Sequence, residues 1–211
     1  SEFNGGGMHV SNDYGFGKVD AYTAVRMAEV WSLFQTAQTS ANERTGSFSG
    51  TVNKALVDNG DTTFTVNVTK QMRLELDDLQ LTLTHPNVNQ LQVELVSPDG
   101  TKSIMLTPGT GAAINGSNWT WTFGSEQFLG ELSAGTWTVR ITDTVTGGTG
   151  KVTSYKMDIY GSDADANNVY HYTDEFAKML ALDASRGTLV DSNGGADWIY
   201  ASGIEGDITL D

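Results

Sequence analysis

Leu91-Gln92-Val93-Glu94-Leu95-Val96-Ser97-Pro98-Asp99-Gly100 decides the fold. Its first half alternates apolar and polar residues, the period of a half-buried strand, because successive strand side chains point to opposite faces. Ser97 to Gly100 then reads as a tight turn, with proline presetting φ and glycine supplying a positive one. The same period runs outward from this stretch on both sides. Phe64, Val66 and Val68 alternate with Thr65, Asn67 and Thr69. Leu74 and Leu76 alternate, then Leu79, Leu81 and Leu83; Ile104 to Leu106, Trp119 to Phe123, Trp137 to Ile141 and Tyr155 to Ile159 complete the series. Short strands joined by turns, with no helix among them, predict an all-β fold from residue 51 onward, a β-sandwich or a jelly roll.

Leu76 and Leu79 are three apart, so the inward face is expected to change phase across Asp77-Asp78. A strand does this only through a bulge or a bend. Two adjacent acids there are either solvated edge residues that discourage strand pairing or a ligand site. Trp119, Trp121 and Trp137 are expected in the sandwich core, and His85 reads as a hydrogen-bonded core or turn histidine.

The flanks differ from the centre. Residues 20–35 predict a helix capped by Asp20, with Val25, Met27, Ala28, Trp31 and Leu33 as its apolar positions. Residues 36–50, rich in Ser, Thr, Gly and Asn, predict a linker. Beyond Gly161, Asp163, Asp165 and Asn167 read as a polar joint. A short strand and a helix around Asp174 to Leu182 are expected next, then a turn over Asp191-Ser192-Asn193-Gly194-Gly195-Ala196-Asp197. Ser1-Glu2-Phe3 reads as an expression scar.

The 211 residues hold 26 acids, 12 bases and no cysteine, for a net charge of -14. A disulfide framework, a cysteine nucleophile and a thiolate zinc site are thereby excluded. Nucleic acid and anionic lipid are poor partners for such a chain, since phosphate binding rests on Lys and Arg. No apolar run approaches the ~20 residues that span a membrane. The acidity is concentrated: residues 161–211 carry 10 acids against 2 bases. Carboxylates this dense suit a hard cation such as calcium, or simply a solvated surface.

No catalytic constellation is legible. His9, His85 and His171 sit in no H-E-x-x-H arrangement. Gly46-Ser47-Phe48-Ser49-Gly50 places a phenylalanine where a nucleophile elbow needs serine. No phosphate-cradling G-x-x-x-x-G-K-[ST] occurs.

Three stretches carry family resemblances. Tyr14-Gly15-Phe16-Gly17-Lys18-Val19-Asp20-Ala21 resembles the end of a subtilisin-type serine protease catalytic domain, where such a string leads into the last helix. Asp78-Leu79-Gln80-Leu81-Thr82-Leu83-Thr84-His85, Leu91 to Thr101, Gly135 to Asp143 and Gly150 to Gly161 resemble the P domain of kexin and the proprotein convertases. Tyr170 to Phe176 and Thr188 to Ser202 are similar to the segment before the calcium β-roll of serralysin-type secreted proteins. The chain departs from the P-domain pattern at Asn89-Gln90-Leu91, where Gly-Asp-Leu is usual, and at Gly147-Gly148-Thr149-Gly150, which offers no carboxylate after Asp143.

These resemblances imply a layout and a function. Residues 1–3 would be the scar, 4–35 the tail of a catalytic domain, 36–50 a linker, 51–161 a P domain and 162–211 a calcium-binding extension. The expected function is that of a non-catalytic P domain stabilising the catalytic domain of a secreted, bacterial, kexin-like serine protease. Its own catalytic domain would be the partner of a monomeric chain. Ca2+ is the expected cofactor, and Asp77, Asp78, Asp143, Asp191, Gly194 and Asp197 are the expected ligands. The alternative reading is a carbohydrate-binding β-sandwich of an extracellular enzyme, stacking sugars on exposed tryptophans. Asn67, Asn115 and Asn118 head formal glycosylation sequons.

Overall fold

The structure, a computed structural model, describes residues 2–33, 37, 39–110 and 116–209. Expectations that fall on residues 1, 34–36, 38, 111–115 and 210–211, among them the end of the predicted helix and Asn115, lie outside the described residues. The described chain forms two compact units that do not follow chain order. One comprises residues 1–17 and 41–164, the other residues 18–40 and 165–211.

The first unit begins with a small hairpin, β1 (Glu2–Phe3) against β2 (His9–Val10). In the second unit, α1 (Ala21–Val30) starts where Asp20 caps it, accepting from the Thr23 amide and hydroxyl at 3.1 and 2.9 Å. The sandwich follows: β3 (Arg44–Ala55), β4 (Asp61–Val68), β5 (Met72–His85), β6 (Leu91–Val96), β7 (Lys102–Leu106), β8 (Gly116–Ser125), β9 (Gly135–Asp143) and β10 (Lys151–Asp163). One antiparallel sheet has the order β3-β10-β5-β8 and the other β4-β9-β6-β7. Two four-stranded sheets with this interleaved order are a jelly roll, as the alternation predicts.

The inward positions of the strands meet between the sheets. Leu79, Leu81 and Leu83 of β5, Leu91, Val93 and Leu95 of β6, and Trp137, Val139 and Ile141 of β9 are essentially inaccessible. Each apolar side chain so buried contributes about 1.5–3 kcal/mol. Trp137 meets Phe128 edge-on at 4.8 Å and donates its indole N–H to the Ser133 carbonyl at 2.9 Å. The Ser97–Gly100 turn closes as expected, with the Gly100 amide donating to the Ser97 carbonyl at 3.0 Å and φ of 92° at Gly100.

Three details differ from the sequence reading. The phase change lies before the two acids, not across them. Met72 and Leu74 face inward, then Asp77, Leu79 and Leu81 do, and Leu76 turns outward. The bulged residue is Glu75, skipped where Tyr160 and Gly161 pair with Leu76 and Leu74. Gly161 permits that close passage, since a Cβ there would sit 2.0 Å from the Arg73 carbonyl oxygen. Second, residues 44–50 are strand and not linker: Arg44 to Gly50 pair with Gly161 to Tyr155. Pairing with β10 outweighs a polar composition in which only Phe48 is large and apolar. Third, Trp121 is 55% exposed and Trp119 only partly covered, leaving Trp137 as the core tryptophan of the three.

In the second unit, β11 (Val169–Thr173) pairs in parallel with β12 (Trp198–Gly203), and α2 (Phe176–Leu182) lies between them in sequence. Tyr200 and Ser202 both donate hydroxyl hydrogen bonds to the Arg26 carbonyl of α1 at 3.1 Å. Among the described residues no helix is long and apolar enough to cross a membrane.

Candidate cation sites among the buried and exposed acids

Past the bulge, the inward row of β5 begins with a carboxylate and ends with an imidazole. Asp77 and His85 are separated by eight residues of strand, about 27 Å. The bulge is what turns Asp77 inward.

Asp77 is 1% exposed, and neither carboxylate oxygen has a hydrogen-bond partner. Its cross-strand neighbours are Ser125 in β8 and Ile159 in β10. Glu131 is equally buried; its Oε1 accepts from the Gly5 amide at 2.8 Å, while its Oε2 accepts nothing. The Ser125 and Ser103 hydroxyls share a buried hydrogen bond of 2.8 Å. Burial pushes the Asp77 carboxyl well above the usual range, and the negative charges of Asp78 and Glu131 push it further. The place is rich in oxygen and starved of donors, the opposite of how proteins ordinarily bury a carboxylate.

Asp143, at the far end, is satisfied. Its Oδ2 lies 3.1 Å from the Nε2 of His85, and its Oδ1 accepts from the Val145 amide at 3.1 Å. The Nδ1 of His85 is 2.8 Å from the Asn87 carbonyl oxygen and 3.2 Å from the Asn87 amide nitrogen. His85 is therefore the hydrogen-bonded core histidine that the sequence suggests. Gly148 passes so near that a Cβ would lie 3.0 Å from the imidazole.

Asp78 faces away from the core and is paired in register with Asp158 of β10, which is held by Lys156 at 2.6 Å. The remaining expected ligands belong to the second unit. Asp191 accepts from the Asn168 side-chain amide at 2.9 Å, the Tyr170 hydroxyl at 2.6 Å and the Asn193 amide at 3.0 Å. Asp197 accepts from the Asn168 amide at 2.8 Å. Gly194 and Gly195 take φ of 75° and 107°, which lets the turn close. The Tyr170 and Asn168 donors hold the Asp191 carboxyl below its usual range, and the same bond to Asp191 pushes the Tyr170 phenol up to about 12.

The six expected ligands thus occupy four separate places. Among the described residues no three His, Asp or Glu side chains gather closely enough to cage a metal ion. Sequence reading missed Glu131, Ser125, Tyr170 and Asn168 as site residues. Tyr170 lies in the Tyr170 to Phe176 motif; nothing in the string marks Glu131, which is brought to Asp77 by the return of the chain between β8 and β9.

The fold defines an antiparallel jelly-roll β-sandwich domain with one buried acid, Asp77, inside β5 and another, Asp143, at the end of β9 beside His85. Its family follows from comparison with known proteins. Residues 74–159 match the family model of the proprotein convertase P-domain, and this central segment is such a P domain. An extracellular serine protease of Aeromonas sobria is 32% identical over 162 residues, covering 69% of this chain and 25% of the relative. Proprotein convertase subtilisin/kexin type 6 of Rattus norvegicus is 26% identical over 194 residues, covering 85% of this chain and 20% of the relative. The chain therefore spans a fifth to a quarter of the length of these curated relatives. The crystal structure of the Aeromonas sobria serine protease in complex with its chaperone shares the fold, with a TM-score of 0.64 at 24% identity over 77% of this chain and 33% of that one.

Proposed function

We propose that this chain is the non-catalytic, calcium-binding P-domain portion of a secreted, kexin-like bacterial serine protease, and that it stabilises the catalytic domain that accompanies it. The observation that carries the reading is the P-domain match over residues 74–159 on a complete jelly roll. The likeness to an extracellular serine protease supports secretion and a protease partner. Calcium is supported by the chemistry of the acids, all oxygen donors suited to a hard cation. Asp77 has both oxygens open, and the loop holding Asp191, Gly194 and Asp197 can turn its carboxylates to a cation in exchange for its present donors. Asp78 and Asp143 are weaker candidates, since Asp78 faces outward and Asp143 already has partners.

The test joins this chain to a catalytic domain of kexin type and follows residual peptidase activity on heating, with and without the chain. A longer half-life is expected with it, and an unchanged half-life would remove the stabilising role. The chain by itself is expected to leave casein uncut.

One observation favours the carbohydrate-binding reading: Trp119 and Trp121 lie nearly parallel, 4° apart with ring centroids at 6.3 Å, and Trp121 is open to solvent. Retention on insoluble glycans that Trp121→Ala abolishes would support it; equal elution of both forms would dismiss it.

A further inference from the structure

We infer that Asp77 and Glu131 form a buried divalent-cation site of calcium type, and that occupying it fastens the chain at Gly5 to the sandwich. The inference rests on the calcium part of the proposed function and deepens it, because it adds a ligand that the sequence does not reveal and selects one place among the acids.

Three carboxylate oxygens carry the argument: both of Asp77 and the Oε2 of Glu131. Each belongs to a side chain 1% exposed, and none has a hydrogen-bond partner. An ionised carboxylate out of water is unfavourable by several kcal/mol unless a counter-charge or donors meet it. Here the neighbouring charges that act on Asp77 are those of Asp78 and Glu131, both negative. A divalent ion converts that repulsion into attraction. The hydroxyl of Ser125, the cross-strand neighbour of Asp77, is a neutral oxygen on the same face. Carboxylates completed by neutral oxygens or water are what calcium takes at 2.3–2.6 Å.

The same site reaches the start of the chain. The Gly5 amide donates to the Glu131 Oε1 at 2.8 Å and to the Thr101 hydroxyl oxygen at 3.0 Å. Asn4 donates to the carbonyls of Gln127 and Leu129, both at 2.9 Å. A Cβ on Gly5 would fall 2.3 Å from an Asp99 carboxylate oxygen, so the segment fits only with glycine there. A cation fixing Glu131 therefore also fixes the acceptor on which Gly5 rests, and ion binding becomes coupled to the docking of residues 4–7.

The experiment uses the whole chain, stripped with chelator, and calcium chloride as the probe. Melting is followed for the wild type, Asp77→Asn, Glu131→Gln and Asp191→Asn, beside hydrogen exchange at Gly5–Gly7. Calcium at about a hundredfold excess over Kd is expected to raise the wild-type Tm by about 5–10 °C and to slow exchange at Gly5. Asp77→Asn and Glu131→Gln are expected to melt cooperatively but to lose the slowed exchange at Gly5 and the larger part of the Tm rise, while Asp191→Asn keeps the slowed exchange. A calcium response that survives in Asp77→Asn and Glu131→Gln but vanishes in Asp191→Asn overturns the inference and leaves calcium binding standing. No response in any form overturns both. If either isosteric variant fails to fold, calorimetric titration of the other decides: absence of binding heat supports the site, and wild-type heat refutes it.

Discussion

The acids inside the sandwich and those in the loop around Asp191 have similar composition and opposite surroundings. Asp191 is exposed and receives three hydrogen bonds. Asp77 is buried and receives none. Asp143, also buried, is intermediate in kind: it is withdrawn from water but matched by His85 and a backbone amide. The difference teaches that acid density along a chain says little about cation demand. Demand arises where burial removes water and the fold supplies no donor in its place.

The comparison can be broken at its foundation. Trp137→Ala removes the largest fully buried side chain and should lower stability by about 3–5 kcal/mol. Urea melts read by circular dichroism check this, and a loss below 1 kcal/mol would mean that the sandwich core is not where the acids' burial comes from. His85→Ala sharpens the contrast within the sandwich. It leaves Asp143 buried without its main partner, and a loss of about 3 kcal/mol is expected. If Asp143 instead tolerates the change, burial without a donor is less demanding than argued, and the case for Asp77 weakens with it.

Acid provides a third test. Arg44 donates twice to Asp163 at 2.7 Å and holds that carboxyl below its ordinary value of 3.8. A lowered folded pKa means that the contribution is present above 3.8 and is lost as pH falls through the folded value. The urea midpoint of the wild type should therefore fall more than that of Arg44→Met between pH 5 and pH 2, and the gap should shrink in high salt. The smallest effect concerns the loop. Asp191→Asn should bring the Tyr170 phenol down from about 12 toward 10 in an ultraviolet titration, with Tm moving by less than about 2 °C. A large drop in Tm would show that the exposed loop supports its unit after all.

Much of this was legible in the residues, for particular reasons. Alternation along Leu79-Gln80-Leu81-Thr82-Leu83 and Leu91 to Val96 marks strands because a pleated ribbon has a strict period of two. The Ser97–Gly100 turn and the Asp20 cap are local hydrogen-bond chemistry, and local sequence reveals both. A bulge was expected from the spacing of the leucines, but across Asp77-Asp78, whereas it lies before them at Glu75. Leu76 could face either way, and only pairing with β10 assigned the extra residue to Glu75. The strand over residues 44–50 was hidden because its partner lies more than a hundred positions away and its own residues are small and polar.

The sequence by itself determined the all-β class, the run of short alternating strands, the turns and the shortage of cations, since each follows from period, local bonding or composition. Tertiary structure alone decided that Asp77 points inward, that Glu131 joins it, that Asp143 is paired with His85 and that Trp121 stays in water. Those outcomes depend on which strands lie beside one another and on where donors run out, and long-range pairing settles both.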